Sequence, residues 1–202
     1  HTEIEKSSVI QNRLPVLAQA AEQIGDIQVR NRGTIGGSLA HADPAADYPA
    51  AFLALEGSVV TQGPGGTRTI PADQFFTGLF STGLRPDEIL TEVRFPTSPP
   101  ITGAAYRKMK HPASGFAVVG AAAVLRGGEV RLAFTGAAAQ AFRAKAVEAA
   151  LRGKKLDEAT VRAAMDKAAD GVDLLEDLFA DAAYRAQLVK VYGRRALLAA
   201  AK

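Results

Sequence analysis

Asn31-Arg32-Gly33-Thr34-Ile35-Gly36-Gly37-Ser38-Leu39-Ala40-His41-Ala42-Asp43-Pro44-Ala45-Ala46-Asp47-Tyr48-Pro49 is the stretch around which the chain is organised. Its glycines, the Thr34 and Ser38 hydroxyls and the Asp43 and Asp47 carboxylates fall close together, just ahead of an apolar run. Glycine removes the Cβ that blocks backbone approach and permits positive φ, and a hydroxyl can donate to an anion or a ribose. Thr34–Ser38 therefore reads as a loop over which backbone approaches a bulky polar ligand. It lacks the spaced glycines of the dinucleotide fingerprint and the lysine of a P-loop, so these residues equally allow a tight loop whose glycines serve packing.

Working outward, residues 13–25 read as a helix. Leu14, Leu17, Ala21 and Ile24 share one face, Pro15 suits the first turn and Gly25 suits a C-terminal stop. Ile27-Gln28-Val29-Arg30 reads as a short strand leading into the glycine stretch. Beyond it a helix is expected over Ala46–Glu56, with Asp43 or Asp47 near its start, where a carboxylate favours the free N–H groups. Ser58–Thr61 and Thr67–Ile70 form a hairpin across Gly63-Pro64-Gly65-Gly66, Pro71–Phe76 a helical turn, and the residues after Leu90 a strand closed by Pro96.

Thr97-Ser98-Pro99-Pro100 is the expected boundary. Three strands come after it, at Gly103–Lys110, Phe116–Arg126 and Glu129–Thr135, the last two joined by a turn at Gly127-Gly128. The remainder is helical, over Ala141–Leu151, Glu158–Ala169 and Asp181–Ala201. The apolar stripe of the last helix is expected to pack on the sheet.

Composition narrows the function. The 202 residues carry 24 Lys and Arg against 21 Asp and Glu, a net charge of +3. No basic stripe interleaved with aromatics appears, so nucleic acid is not an expected partner. Cysteine is absent, which removes disulfides, thiolate metal sites and iron–sulfur ligation from this chain and fits a reducing cytoplasm. The three histidines are scattered, and no metal site is expected. No apolar run approaches the roughly 20 residues of a membrane span.

Thr34-Ile35-Gly36-Gly37-Ser38, His41-Ala42-Asp43-Pro44, Asp47 and Pro49, with Asp87–Leu90 and Tyr106-Arg107-Lys108 further on, resemble in order and spacing the molybdenum-hydroxylase flavoproteins. These are the medium subunits of aerobic carbon monoxide dehydrogenases and the matching domain of xanthine dehydrogenases. The likeness runs from about Ile10 to the C-terminus. It implies FAD as the ligand. Thr34, Ile35, Gly36, Gly37 and Ser38 would line its diphosphate through N–H groups and hydroxyls. Asp47 would accept from a cofactor hydroxyl or ring N–H, or cap a helix. Ile24 and Leu90 would pack on the flat rings, or belong to a core. Lys108 would sit near the flavin, or be a solvated strand residue. Phe116 stands where some relatives place an aromatic over the flavin. No catalytic residue is implied, His41 included, because the cofactor carries the chemistry.

The implied fold is α+β. Residues 1–96 would be the second lobe of a two-lobed FAD-binding domain, and residues 101–202 a three-stranded antiparallel sheet with three helices. The resemblance further implies electron transfer from iron–sulfur clusters to an external acceptor. It implies a large subunit with the molybdenum cofactor and a small subunit with 2Fe–2S clusters as partners. The first lobe's own glycine-rich loop is not among these residues, so that lobe is expected on another chain or segment. The alternative is an assembly module that holds no FAD by itself.

Overall fold

The structure is a computed structural model describing residues His1–Lys202. Six short helices come first: α1 (Thr2–Lys6), α2 (Ser8–Arg13), α3 (Pro15–Glu22), α4 (Ile27–Arg32), α5 (Ile35–His41) and α6 (Tyr48–Ala54). Next come β1 (Ser58–Gly63) and β2 (Gly66–Pro71), a 3₁₀ turn at Ala72–Gln74, β3 (Phe76–Gly78), β4 (Ser81–Thr82) and β5 (Ile89–Arg94). The second half holds β6 (Ile101–Lys110), β7 (Ala117–Arg126), β8 (Glu129–Thr135) and β9 (Phe142–Arg143), then α7 (Lys145–Leu151), α8 (Glu158–Met165) and α9 (Ala182–Ala200). The sheets run β2-β1-β5, β3-β4 and β6-β7-β8-β9, with every pairing antiparallel.

The mixed α and β architecture agrees with the expected α+β class, but three local expectations fail. Ile27–Arg30 is helical, not extended. Gly25 stops the preceding chain at φ 53°, and Asp26 then caps α4 by accepting from Val29 N–H at 2.9 Å. The alternation of Ile27 and Val29 with polar residues mimics a strand, yet α4 buries none of its residues, so no sheet face selects that period.

Thr34–Ser38 is likewise the start of a helix. Thr34 is its N-cap, accepting from Gly37 N–H at 2.9 Å. The third correction concerns the second half, where the sheet has four strands. Phe142 and Arg143 pair with Phe134 and Ala133 before α7 begins, although their sequence blends into the helical run.

The packing boundary does not coincide with the chain boundary at Thr97–Pro100. One apolar cluster joins α3, α6 and the hairpin to Tyr106, Ala122, Val124 and Ala133 of the second sheet. Every residue of α6 is buried in it; burying a side chain the size of Phe52 or Leu53 contributes roughly 1.5–3 kcal/mol each. The other cluster fills the space between the second sheet and α7, α8 and α9. Alternate residues of β7 serve the two clusters: Ala122 and Val124 face the first, Ala121 and Ala123 the second.

Candidate functional site

The segment between α5 and α6 sets the geometry of the site. Ala42 ends α5 in the left-handed region at φ 52°. Asp43 then accepts from Ala45 N–H at 2.8 Å, folding a local turn. The second sheet pins Pro44, Ala45 and Ala46. Gly136 N–H donates to Pro44 O at 2.6 Å, Ala117 N–H donates to Ala45 O at 3.1 Å, and the Thr135 hydroxyl lies 2.7 Å from the carbonyls of both Pro44 and Ala46. Gly136 has no tolerable alternative: it sits at φ 80°, and a Cβ there would stand 2.5 Å from Ala117 O.

These contacts deliver Asp47 to the floor of a cleft of about 470 Å³. One wall is the end of α3 with Ile24 and Gly25, and a second is the start of α5 with Thr34, Gly37 and Ser38. The third is the turn between β6 and β7, with Ser114, Gly115 and Phe116. The volume lies within the range of small-molecule sites.

Asp47 is 5% exposed, and its carboxylate is held from behind. Tyr106 donates its hydroxyl at 2.6 Å, and the Lys108 ammonium lies 2.8 Å from the same oxygen and 3.0 Å from the other. Burial raises the carboxyl's pKa above the usual range, opposed by the Lys108 charge and by bonds from Lys108 and Tyr106. Burial, with the Asp47 charge adding to it, also pushes the Tyr106 phenol well above its ordinary value. Tyr48, whose oxygen is 3.0 Å from His1 Nδ1, is raised by burial as well.

The structure divides the expected ligand-facing residues into two layers. Ile24, Thr34, Gly37, Ser38 and Asp47 line the cleft, and so does Phe116. Ile35, Gly36, Leu90 and Lys108 do not. Gly36 packs against Leu90, whose Cδ2 would lie 3.4 Å from an added Cβ; Ile35 and Leu90 pack against the first apolar cluster. Lys108 stands behind Asp47 with its side chain 1% exposed. Asp47 occupies the N-cap position of α6 without capping it: its backbone is already helical at φ −76° and ψ −40°, not extended as at a capping residue, and Tyr106 and Lys108 bind its oxygens.

Other lining groups carry no signal in the sequence pattern, notably Val29, Arg32, Ser114 and His1. Only the adjacency of Gly25-Asp26, a helix stop followed by a cap, signals that Val29 and Arg32 turn back toward Thr34.

The donor set fits a polar, anionic group. Among the lining residues the Thr34 amide, just before α5, has no backbone acceptor, and Thr34 and Ser38 bring hydroxyls to the cleft wall. The seven-residue α5 is too short to contribute much as a dipole, so these are local donors. Asp47 adds an acceptor, and Ile24 and Phe116 add apolar surface.

Residues 1–98 match the FAD binding domain in molybdopterin dehydrogenase, and residues 104–200 match the CO dehydrogenase flavoprotein C-terminal domain. The chain belongs to this flavoprotein family. It is 42% identical to the carbon monoxide dehydrogenase medium chain of Hydrogenophaga pseudoflava over 199 residues, covering 96% of this chain and 69% of that one. It is 36% identical to the nicotine 6-hydroxylase medium subunit of Paenarthrobacter nicotinovorans, covering 99% and 72%. A solved carbon monoxide dehydrogenase from Hydrogenophaga pseudoflava superposes with a TM-score of 0.92 at 45% identity, over 98% of this chain and 71% of that one. No helix is long and apolar enough to cross a membrane.

Proposed function

We propose that this chain holds FAD in the Asp47 cleft and serves as the electron-transfer subunit of a molybdenum-containing dehydrogenase or hydroxylase. The observation that carries the reading is the cleft lined by Asp47, a buried carboxylate, together with Thr34, whose N–H has no backbone acceptor, and the hydroxyl-bearing Ser38. In this reading Thr34, Gly37 and Ser38 meet the diphosphate. Asp47 accepts from a hydroxyl or ring N–H and so orients the cofactor. Ile24 and Phe116 cover apolar ring surface and exclude water. Ile35, Gly36 and Leu90 support the α5 wall from behind, where Gly36 lets Leu90 approach closely.

When bound, FAD supplies the redox chemistry, accepting electrons from iron–sulfur clusters and passing them to an external acceptor. The partners are a large molybdenum subunit and a small iron–sulfur subunit, consistent with a chain that has no cysteine to ligate a cluster. A first FAD lobe, carried on a segment outside these residues, completes the enclosure of the cofactor. The cytoplasm is the compartment such an assembly fits.

The visible absorption of the purified full-length protein, titrated with FAD, tests the reading. A saturating flavin spectrum at one FAD per chain is expected, and Asp47→Ala lowers the affinity about tenfold, the loss of one hydrogen bond to a charged group. No flavin bound by a folded protein in excess FAD would overturn the reading and leave an assembly module.

A further inference from the structure

The three walls of the cleft come from separate chain segments, and one side chain ties two of them, remote from each other in sequence, to the floor. Lys108 Nζ lies 2.8 Å from Gln23 O, beside the Ile24–Gly25 wall. It lies 3.0 Å from Gly115 O, in the turn that carries Ser114 and Phe116. Its third partner is the Asp47 carboxylate on the floor, at 2.8 Å.

An ammonium has three protons and no acceptor capacity. Three partners at hydrogen-bonding distance use all of them. With its side chain 1% exposed, Lys108 has neither a free proton nor a free path to a bound molecule. A lysine that met the cofactor directly would face the cleft, and this one is absent from the lining.

We propose that Lys108 is a positioning residue that ties the α3 end and the β6–β7 turn to the cleft floor and keeps Asp47 ionised and aimed, without touching the ligand. Tyr106 is the second half of the device, holding the same carboxylate through its hydroxyl at 2.6 Å. Removing Lys108 leaves two carbonyls and a carboxylate without their shared donor, and the desolvated carboxylate then favours its neutral form. The groups that set its charge state are Lys108, Tyr106 and Lys110, with Tyr48 adjoining it in the chain.

Two measurements on the full-length protein test this, using Lys108→Met and Tyr106→Phe. The first is amide hydrogen exchange without ligand. Lys108→Met is expected to speed exchange about tenfold in both residues 23–26 and residues 113–116, while Tyr106→Phe leaves both segments unchanged. Unchanged exchange in either segment of Lys108→Met overturns the tie.

The second measurement rests on the FAD reading: FAD affinity measured against pH. Loss of the neighbouring charge is expected to move the acid limb of the profile upward by about one pH unit or more in Lys108→Met. Tyr106→Phe moves it the same way by less, and remains informative if Lys108→Met does not fold. A loss of affinity equal at every pH in both variants overturns the role assigned toward Asp47. If the wild-type protein binds no FAD while the exchange result holds, the cofactor reading fails and the tie stands.

Discussion

The cleft side and the helix-covered side of the molecule are built from different materials. On the cleft side α1, α2 and α4 bury no residue, and the stops and caps between them come from Gly25, Asp26, Thr34 and Ala42. On the far side β7 buries eight of its ten residues and lies beneath the 19-residue α9. Short helices are marginal without packing. The site-bearing segments therefore depend on bonds from the second sheet, chiefly Thr135, Gly136 and Lys108. The short segments around the cleft are therefore the part of the molecule least able to fold alone, and bonds to the second sheet hold them in place.

If that contrast is right, the largest effect belongs to the far side. Phe134→Ala removes a fully buried ring and should cost about 3–5 kcal/mol in urea unfolding. A much smaller cost would mean that the second cluster is loosely packed.

Thr135→Val probes the link between the two sides. It keeps the shape and removes the hydroxyl shared by Pro44 and Ala46. We expect a loss of about 1–3 kcal/mol together with weaker FAD binding. A stability loss with unchanged FAD affinity would separate the sheet from the position of Asp47.

Acid titration sharpens the contrast within the first half. Arg68 donates twice to Glu88 at 2.6 Å, clasping β2 to the turn before β5. These bonds, with Arg85 N–H, hold the Glu88 carboxyl down to about 2 from an ordinary 4.5. A carboxyl made more acidic by folding contributes its full stability above its ordinary pKa and loses it as pH falls through the folded value. Stability should therefore decline between about pH 4.5 and 2 more steeply in the wild type than in Glu88→Gln. Equal slopes would show that the clasp does not form in solution.

The smallest effect is on the exposed helices. Ile27 is 76% exposed, and Ile27→Ala should change stability by no more than about 0.5 kcal/mol. A larger loss would mean that α4 is packed against something in solution.

The same contrast decides how much of the structure is legible in the sequence. β6, β7, β8 and α9 are long enough to be read as elements, but the buried face of α9 is not its most apolar one: Tyr184 is 45% exposed while Arg185 and Gly193 are buried. The hairpin at Gly63–Gly66 can also be read directly. The candidate site is legible only through the family resemblance: of the residues it singles out, Ile24, Thr34, Gly37, Ser38 and Asp47 line the cleft, and Ile35, Gly36, Leu90 and Lys108 do not. Ile27–Arg32 cannot be read as a helix, because no buried face imposes a period and two local caps decide the structure. β9 is two residues long and is set by pairing with β8, which no local pattern announces. The place of Lys108 behind the floor depends on the Gln23 carbonyl and the Asp47 carboxylate, both remote in sequence, as well as on the nearby Gly115 carbonyl, so its residue type is visible but its direction is not.

FAD bound in the cleft floored by Asp47 would shield the amides of the cleft walls from solvent. Hydrogen exchange of the full-length protein with and without saturating FAD tests it most directly. Protection is expected at residues 24–26, 34–38 and 114–116, with none across α7, α8 and α9. Protection confined to the helix-covered side, or none at Thr34–Ser38 under saturating FAD, would contradict this placement of FAD.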